Sequence, residues 1–486
     1  MAYKHGIYGS EQATSLVPMT ETDSGLVVAF GTAPVHLASE PAEPNTPVLC
    51  YSYKEAVAAF GYCDDFEDYT LCEVIKSHFA LFNMAPIVLV NVLDKNIARQ
   101  TEEKTRQAVT LAAGAATLSG AVLLDTLKLY AAAEGGDPLE EGTDYTAAYD
   151  EDDHCLITAI EGGAIQSETA TIYATYTALK PSGVQAADIV GGVDNNTGES
   201  EGLELIEEIF PRFGLVPGII IAPGWSHDTT VAAVMKAKCK NINGHFSAIA
   251  IADLPTDTVN TCTKASEWKN RNNFVDTSLI ATWPLVSLGG QKYHLSTQLA
   301  GIMNKTDAAH GDIPYYSPSN KSLQADSAVL ADGREIFMSN AQASYLNGQG
   351  IVTALNFIGG WKAWGNRTTV YPSNTDVKDA FIPIRRMFNW VLNTLITTFW
   401  SKIDDPTNKR LIETIMDSAN IWLNGLTAKG ALLGGRVEFR SDENTTTDLM
   451  DGKIKFHVYM TPPSPAREIE FVQEYDPEYI ATLFAA

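Results

Sequence analysis

Five short apolar runs constrain this chain more than anything else in it. Gly25–Phe30, Pro86–Val92, Gly218–Ala222, His245–Asp253 and Ser278–Thr282 are too short for independent helices, and each has Gly or Pro at or near one end. Runs of that length closed by breakers read as buried strands. Stretches with helical spacing lie between them: Ser52–Phe60 and Asp68–Phe82 before the second run, Thr229–Asn241 and Thr258–Asn272 between the later ones. Strand and helix alternating at this interval predict a parallel sheet covered by helices. At 486 residues the chain has room for about three domains.

The alternation is interrupted between residues 104 and 183, where short period-two runs and turn clusters such as Glu134–Pro138 and Glu161–Gly163 replace it. That texture predicts a small all-β module inserted into the α/β domain, which would then comprise residues 21–103 and 184–345. Residues 107–182 hold twelve acids and two bases, a large share of the chain's net charge of −25. An acidic surface of this kind is solvated, and it faces outward in this reading. The overall balance argues against nucleic acid as a partner, since phosphate binding needs a basic footprint. It equally disfavours direct membrane binding. No apolar targeting run precedes Gly25, and the six cysteines (50, 63, 72, 155, 239 and 262) form no Cys-x-x-Cys pair, which predicts reduced thiols and synthesis in a cytoplasm.

The sharpest periodicity comes after residue 346. Ile384, Met387, Phe388, Val391, Leu392, Leu395, Ile396 and Phe399 form one helical stripe; Leu411, Ile412, Ile415, Met416, Ala419, Trp422, Leu423 and Leu426 form a second. Asp404, Asp405 and Pro406 are expected to cap the second helix and Gly430 to stop it. Arg436–Arg440 and Lys453–Met460 alternate at period two and predict an antiparallel pair, with Ile454, Phe456, Val458 and Met460 toward a core. Residues 467–473 alternate again after Pro462, Pro463 and Pro465, and residues 1–20 have no core-forming pattern.

Chemistry is scarce. Ser226 and His227 follow one strand and Asp253 ends the next, so an α/β hydrolase-like set of nucleophile, base and orienting acid is conceivable at the carboxyl ends of the strands. Gly224–Asp228 is not the Gly-x-Ser-x-Gly elbow, however, and polar residues at strand ends are usually turn and capping groups. The nine histidines show no metal-ligand spacing and no phosphate loop is present, so neither catalytic residues, metal nor cofactor is expected. One charge feature stands out. Residues 383–436 carry seven bases and four acids inside a strongly acidic chain, which reads either as ordinary surface solvation or as a docking face for an acidic partner.

Taken in order, a series of segments resembles the contractile tail sheath proteins of bacteriophages and related injection machines. They are His5–Ile7, Phe30–Pro34, Gly359–Thr368, Tyr371–Asp376, Arg385–Met387, Leu423–Leu426, Gly430–Gly435, Asn444–Thr445 with Gly452–Lys453, and Pro463–Phe471. The likeness is strongest after residue 345 and weakest in the β insertion. It implies an α/β core similar in layout to subtilisin but without its catalytic use, an outward β insertion, and a C-terminal α+β domain (346–466) on an inner tube.

The resemblance also implies inter-subunit arms at residues 1–20 and 467–486, with Ile7, Tyr8, Ile469 and Phe471 adding strands to a neighbour's C-terminal sheet. The receiving sheet would be built on Val437, Phe439, Ile454, Phe456 and Val458. Lys402, Lys409, Arg410, Lys429 and Arg436 become candidates for gripping the tube. The partners implied are the chain itself as a helical homopolymer, the inner tail tube protein, and baseplate and tail terminator proteins. The location implied is a virion tail or phage-tail-like particle, assembled in a bacterial cytoplasm. The competing readings are the hydrolase-like enzyme on Ser226, His227 and Asp253, and a non-contractile shell or adhesin.

Overall fold

The computed structural model describes residues 16–167, 170–195 and 197–484. The apolar runs form the middle of one large sheet. Its strands are β1 (Val27–Gly31), β2 (Val48–Cys50), β3 (Ile87–Asn91), β4 (Ile219–Ile221), β5 (Ile249–Asp253), β6 (Leu279–Thr282), β7 (Ile351–Asn356) and β8 (Trp361–Trp364). Across the sheet the order is Lys321–Ser322, β8, β7, β6, β5, β4, β1, β3, β2. The six strands from β7 to β3 run parallel, and antiparallel strands close both ends. Every residue of β1, β3, β4, β5 and β6 is buried, as strands covered on both faces must be, which is why they read as unbroken apolar runs.

The chain leaves this sheet after β3 and returns at β4, which pairs with β1 on the side opposite β3. In that interval, strands Thr101–Thr110, Ala121–Val122, Lys128–Tyr130 and Thr171–Leu179 make one antiparallel sheet. Ala115–Leu118, Tyr145–Tyr149 and Cys155–Ala159 make another. The two enclose a separate apolar cluster that includes Leu118, Leu129, Ile157, Ile172 and Tyr176.

Three helices organise the rest: α1 (Leu295–Ala308), α2 (Ile382–Phe399) and α3 (Lys409–Ala428). α2 and α3 share a third apolar cluster through Met387, Trp390, Val391, Ala419, Leu423 and Leu426. The N-cap of α3 is Asn408, whose side chain accepts from Leu411 N at 2.9 Å, rather than the Asp404–Pro406 turn. Asp404 instead takes a left-handed conformation in the connection (φ 65°), so the chain turns once more before its first free N–H groups appear. Gly430 follows α3 at φ 79°, the left-handed stop expected of it.

The stripe on α2 accounts for only part of its burial. Leu392 is half exposed, whereas Arg386, Asn389, Asn393, Thr394 and Thr398 are buried. These polar groups receive unpaired backbone. Residues 17–24 lie along α2 and α3 as an extended strap: Val17 N donates to Ser418 Oγ (2.8 Å), Thr20 N to Thr398 Oγ1 (2.9 Å) and Thr22 N to Thr394 Oγ1 (3.3 Å). Trp390 Nε1 and Thr397 Oγ1 donate back to Thr22 O and Thr20 O. On the sheet side, Asn393 exchanges two hydrogen bonds with the backbone of Ser247, and Asn389 donates to Ala248 O. A strap with no strand beside it must be satisfied by side chains.

Arg386 ties these parts together. Its guanidinium makes a bidentate pair with Asp307 of α1, with both side chains under 5% exposed, and also donates to Ser24 O at 3.0 Å. Ser24 Oγ donates to the same carboxylate at 2.9 Å. Removing one partner of a buried pair leaves the other charge uncompensated, so Arg386→Ala is expected to cost about 3–5 kcal/mol of unfolding free energy. Denaturant titration checks this; a loss below about 1 kcal/mol, the range of exposed pairs, would show that the pair does not hold the domains together.

Candidate functional site

The strand ends were the first candidate. Asp253 sits at the carboxyl end of β5, and its carboxylate is fully engaged by structure. Thr282 Oγ1 donates at 2.7 Å, Ser296 N at 2.9 Å, and the hydroxyls of Ser226 and Ser296 at 3.3 and 2.5 Å. The acceptor thus ties β5 to β6 and to the first turn of α1, where an anion is favoured. Ser226 is completely buried and its Oγ also accepts from Asp253 N at 3.0 Å. His227 lies at the exposed rim and makes no hydrogen bond to Ser226 among those observed. The three residues are therefore neighbours, but the buried hydroxyl makes no bond to the His227 imidazole and is closed off from a substrate.

Beside them is a crevice of about 550 Å³ lined by Asp64, Glu73, Trp225, His227, Lys292 and His294 among others. Glu73 is wholly buried, and accepts from His294 N (2.6 Å) and pairs with His294 Nδ1 (2.7 Å). Burial opposes the charge on His294, but the adjacent Glu73 carboxylate outweighs it and pushes the imidazole up to about 9. Among the described residues no cluster of three metal-ligating side chains occurs.

The other candidates lie on the C-terminal part. β9 (Gly434–Phe439) and β10 (Phe456–Thr461) pair antiparallel, with Val437 opposite Val458 and Phe439 opposite Phe456. Ile454 is half-buried and precedes the strand by two residues, because Asn444 takes the backbone of Lys455 (Lys455 N to Oδ1 2.7 Å, Nδ2 to Lys455 O 2.9 Å) where the hairpin opens. Among the described residues the sheet has two strands. It packs on α3 through Val437, while Phe456, Val458 and Met460 are only partly covered.

Beyond Pro465 the chain forms no strand or helix up to residue 476 and pairs with no strand among the described residues, and Ile469 and Phe471 are 72% and 87% exposed. Ile7 and Tyr8 lie outside the described residues. The five basic candidates divide by their surroundings. Lys402 pairs with Asp405 (3.2 Å), Lys409 with Glu413 (3.4 Å), and Arg436 with Glu438 (2.5 Å) while stacking over Tyr459. Arg410 and Lys429 are exposed and carry no ion pair among the described residues.

Two sets of residues escaped the sequence reading: the strap-binding row of α2, and Asn420 on α3. Both were visible as polar residues at helical spacing beside or within an apolar stripe. That pattern is the ordinary amphipathic one, and by itself it does not distinguish a buried polar side from a solvated one.

No protein-family profile matches the chain. It is 26% identical to the tail sheath protein of Burkholderia phage BcepMu over 493 aligned residues, covering 99% of this chain and 98% of that one. It is also 26% identical to a putative prophage major tail sheath protein of Pseudomonas aeruginosa strain UCBPP-PA14, covering 61% of this chain and 74% of the relative. Among solved structures it resembles the sheath of the PVC extracellular contractile injection system in its contracted state (TM-score 0.59, 14% identity, 98% of this chain and 99% of that one). It likewise resembles the contracted helical sheath of the anti-feeding prophage (TM-score 0.56, 14% identity, 98% and 100%). At those identities the structural likeness speaks for the fold.

The crevice has a measurable signature. A histidine with a folded-state value near 9 and an ordinary value near 6.5 contributes stability that is complete below about pH 6.5 and is lost as pH rises toward 9. Thermal melts between pH 6.5 and 9 should fall more steeply for the wild type than for Glu73→Gln, which removes the charge partner. Parallel slopes would show that His294 is not held protonated.

Proposed function

We propose that this chain, a contractile tail sheath protein by sequence relationship and by fold, polymerises helically around an inner tail tube and shortens to drive that tube through a target cell envelope. It is a structural subunit and not an enzyme, as its relatives and neighbours are. The observation that carries the reading is a likeness to a phage tail sheath protein that runs along 99% of the chain, from the core through the insertion to the C-terminal segment.

Three features fit such a polymer. The two-stranded sheet of β9 and β10 is marginal by itself and exposes backbone groups, while residues 467–472 carry exposed apolar side chains and have no strand partner among the described residues. Strands donated by neighbours through the arms 1–20 and 467–486 would satisfy both and link subunits by β-augmentation. Such joints let subunits rotate and slide without separating. Contraction then needs no fuel: assembly traps an extended lattice, and a shorter one that buries more surface is reached when a baseplate releases it. The basic residues Lys402, Lys409, Arg410, Lys429 and Arg436 would face the tube. Since three of them already hold an acid of their own chain, the grip would rest on few charges, each worth about 0–1 kcal/mol, and would be strippable. The acidic β insertion would face outward. On this reading the protein belongs to the tail of a virion or phage-tail-like particle, assembled in the bacterial cytoplasm with tube, baseplate and terminator proteins as partners.

Negative-stain electron microscopy of the concentrated chain, alone or co-expressed with its tube protein, is expected to show hollow tubes of uniform width. Deleting residues 1–15, which leaves the strap intact, or residues 467–486, is expected to abolish them while the melting temperature is kept. Tubes from both truncated chains would overturn the arm assignment, and a field of monomers with the tube present would overturn the polymer.

A further inference from the structure

The two edges of the β9–β10 sheet are not equivalent. On α3, the Asn420 side chain takes both backbone groups of Val437: Val437 N donates to Oδ1 at 2.7 Å, and Nδ2 donates to Val437 O at 3.1 Å. In an antiparallel ladder the N–H and C=O of one residue point to the same side, so those of Val437 point away from β10. The amide of Asn420 therefore stands where the backbone of a neighbouring strand would stand, on an edge that α3 already lies along.

Val458 is paired with Val437, so by the same geometry it turns its own N–H and C=O away from β9, and Phe456 and Met460 repeat it two residues either side. Among the described residues no side chain bonds those groups. The apolar face is unfinished on the same side: Val437 is 5% exposed, whereas Phe456, Val458 and Met460 are only half-covered.

Resting on the reading that subunits join by strand addition, we infer that Asn420 is a latch. It closes the β9 edge of a free subunit and restricts the first added strand to the outer edge of β10. The occupant is residues 467–472 of a second copy. Ile469 and Phe471 would continue the half-covered face beside Val458. Glu468 and Glu470 would lie on the other face beside Lys455 and His457, which both reach the Glu443 carboxylate that Arg440 also contacts. The same chain cannot supply the strand. Only residues 462–466 separate this segment from β10, and Pro462, Pro463 and Pro465 fix their own φ and hold Thr461, Pro462 and Ser464 extended, which prevents a tight reversal. A strand can reach β9 only by displacing the Asn420 amide.

A synthetic peptide of residues 466–474, added to the full-length chain and followed by residue-resolved hydrogen exchange, tests this. In the wild type, protection should appear over 456–461 and not over 434–439. In Asn420→Ala, the Val437 amide should exchange about tenfold faster before peptide is added, and peptide should then protect 434–439 as well. Protection confined to or shared with 434–439 in the wild type, or an unchanged Val437 amide in Asn420→Ala, overturns the latch and leaves strand addition standing. Protection of neither strand removes strand addition, and the latch with it.

Discussion

A guanidinium cannot be neutralised at any ordinary pH, so burying Arg386 obliges the fold to bring a carboxylate and a carbonyl to it. Asp307 comes from α1, packed on the parallel sheet, and Ser24 comes from the strap just before β1. One charged contact thereby fixes three parts of the chain that lie far apart in sequence. The two long helices and the sheet of β9 and β10 are joined to the core by α2 and, through Ser418 and Trp422 of α3, by the strap. The amide ladder of Asn389 and Asn393 against residues 247 and 248 gives that placement its orientation.

The same structure leaves its far end deliberately incomplete. The core carries a two-stranded ribbon with one edge closed by a side chain and the other without a partner among the described residues. Just beyond it lies a proline-stiffened segment that cannot fold back. Its larger apolar cores are closed, while one small sheet keeps a face that is only half-covered. The crevice at the strand ends makes the complementary point. Asp253 joins two strands to α1 and Glu73 holds His294, so two of the groups that look catalytic in sequence serve as internal ties in space.

How much could be read in advance varied with the kind of signal. The strands were legible because a parallel sheet buries both faces, which forces unbroken apolar runs. The inserted β texture and the helical stripes were legible through their periods. The start of α3 was misplaced because Asp404, Asp405 and Pro406 offer a good local cap, yet Asn408 is where the helix axis, set by packing on α2, brings the first free N–H groups. Ile454 fits the period of β10 but falls outside the strand, since Asn444 claims the backbone beside it. The burial of the polar row of α2 was not legible, because nothing in its neighbourhood announces that residues 17–24 will lie against it.

Sequence alone thus determined the order of elements, the apolar faces and the acidity of the insertion, all properties of residues within a turn or two of one another. Through an ordered series of motifs it also pointed to the likeness with tail sheath proteins. The tertiary structure decided which polar groups are satisfied and which edge is left open. Arg386 with Asp307, Asn420 with Val437 and Asp253 with Ser296 are each separated by 17 to 79 residues. Whether a hydrogen-bonding group is free or taken depends on what the fold delivers to it, and no local pattern records that.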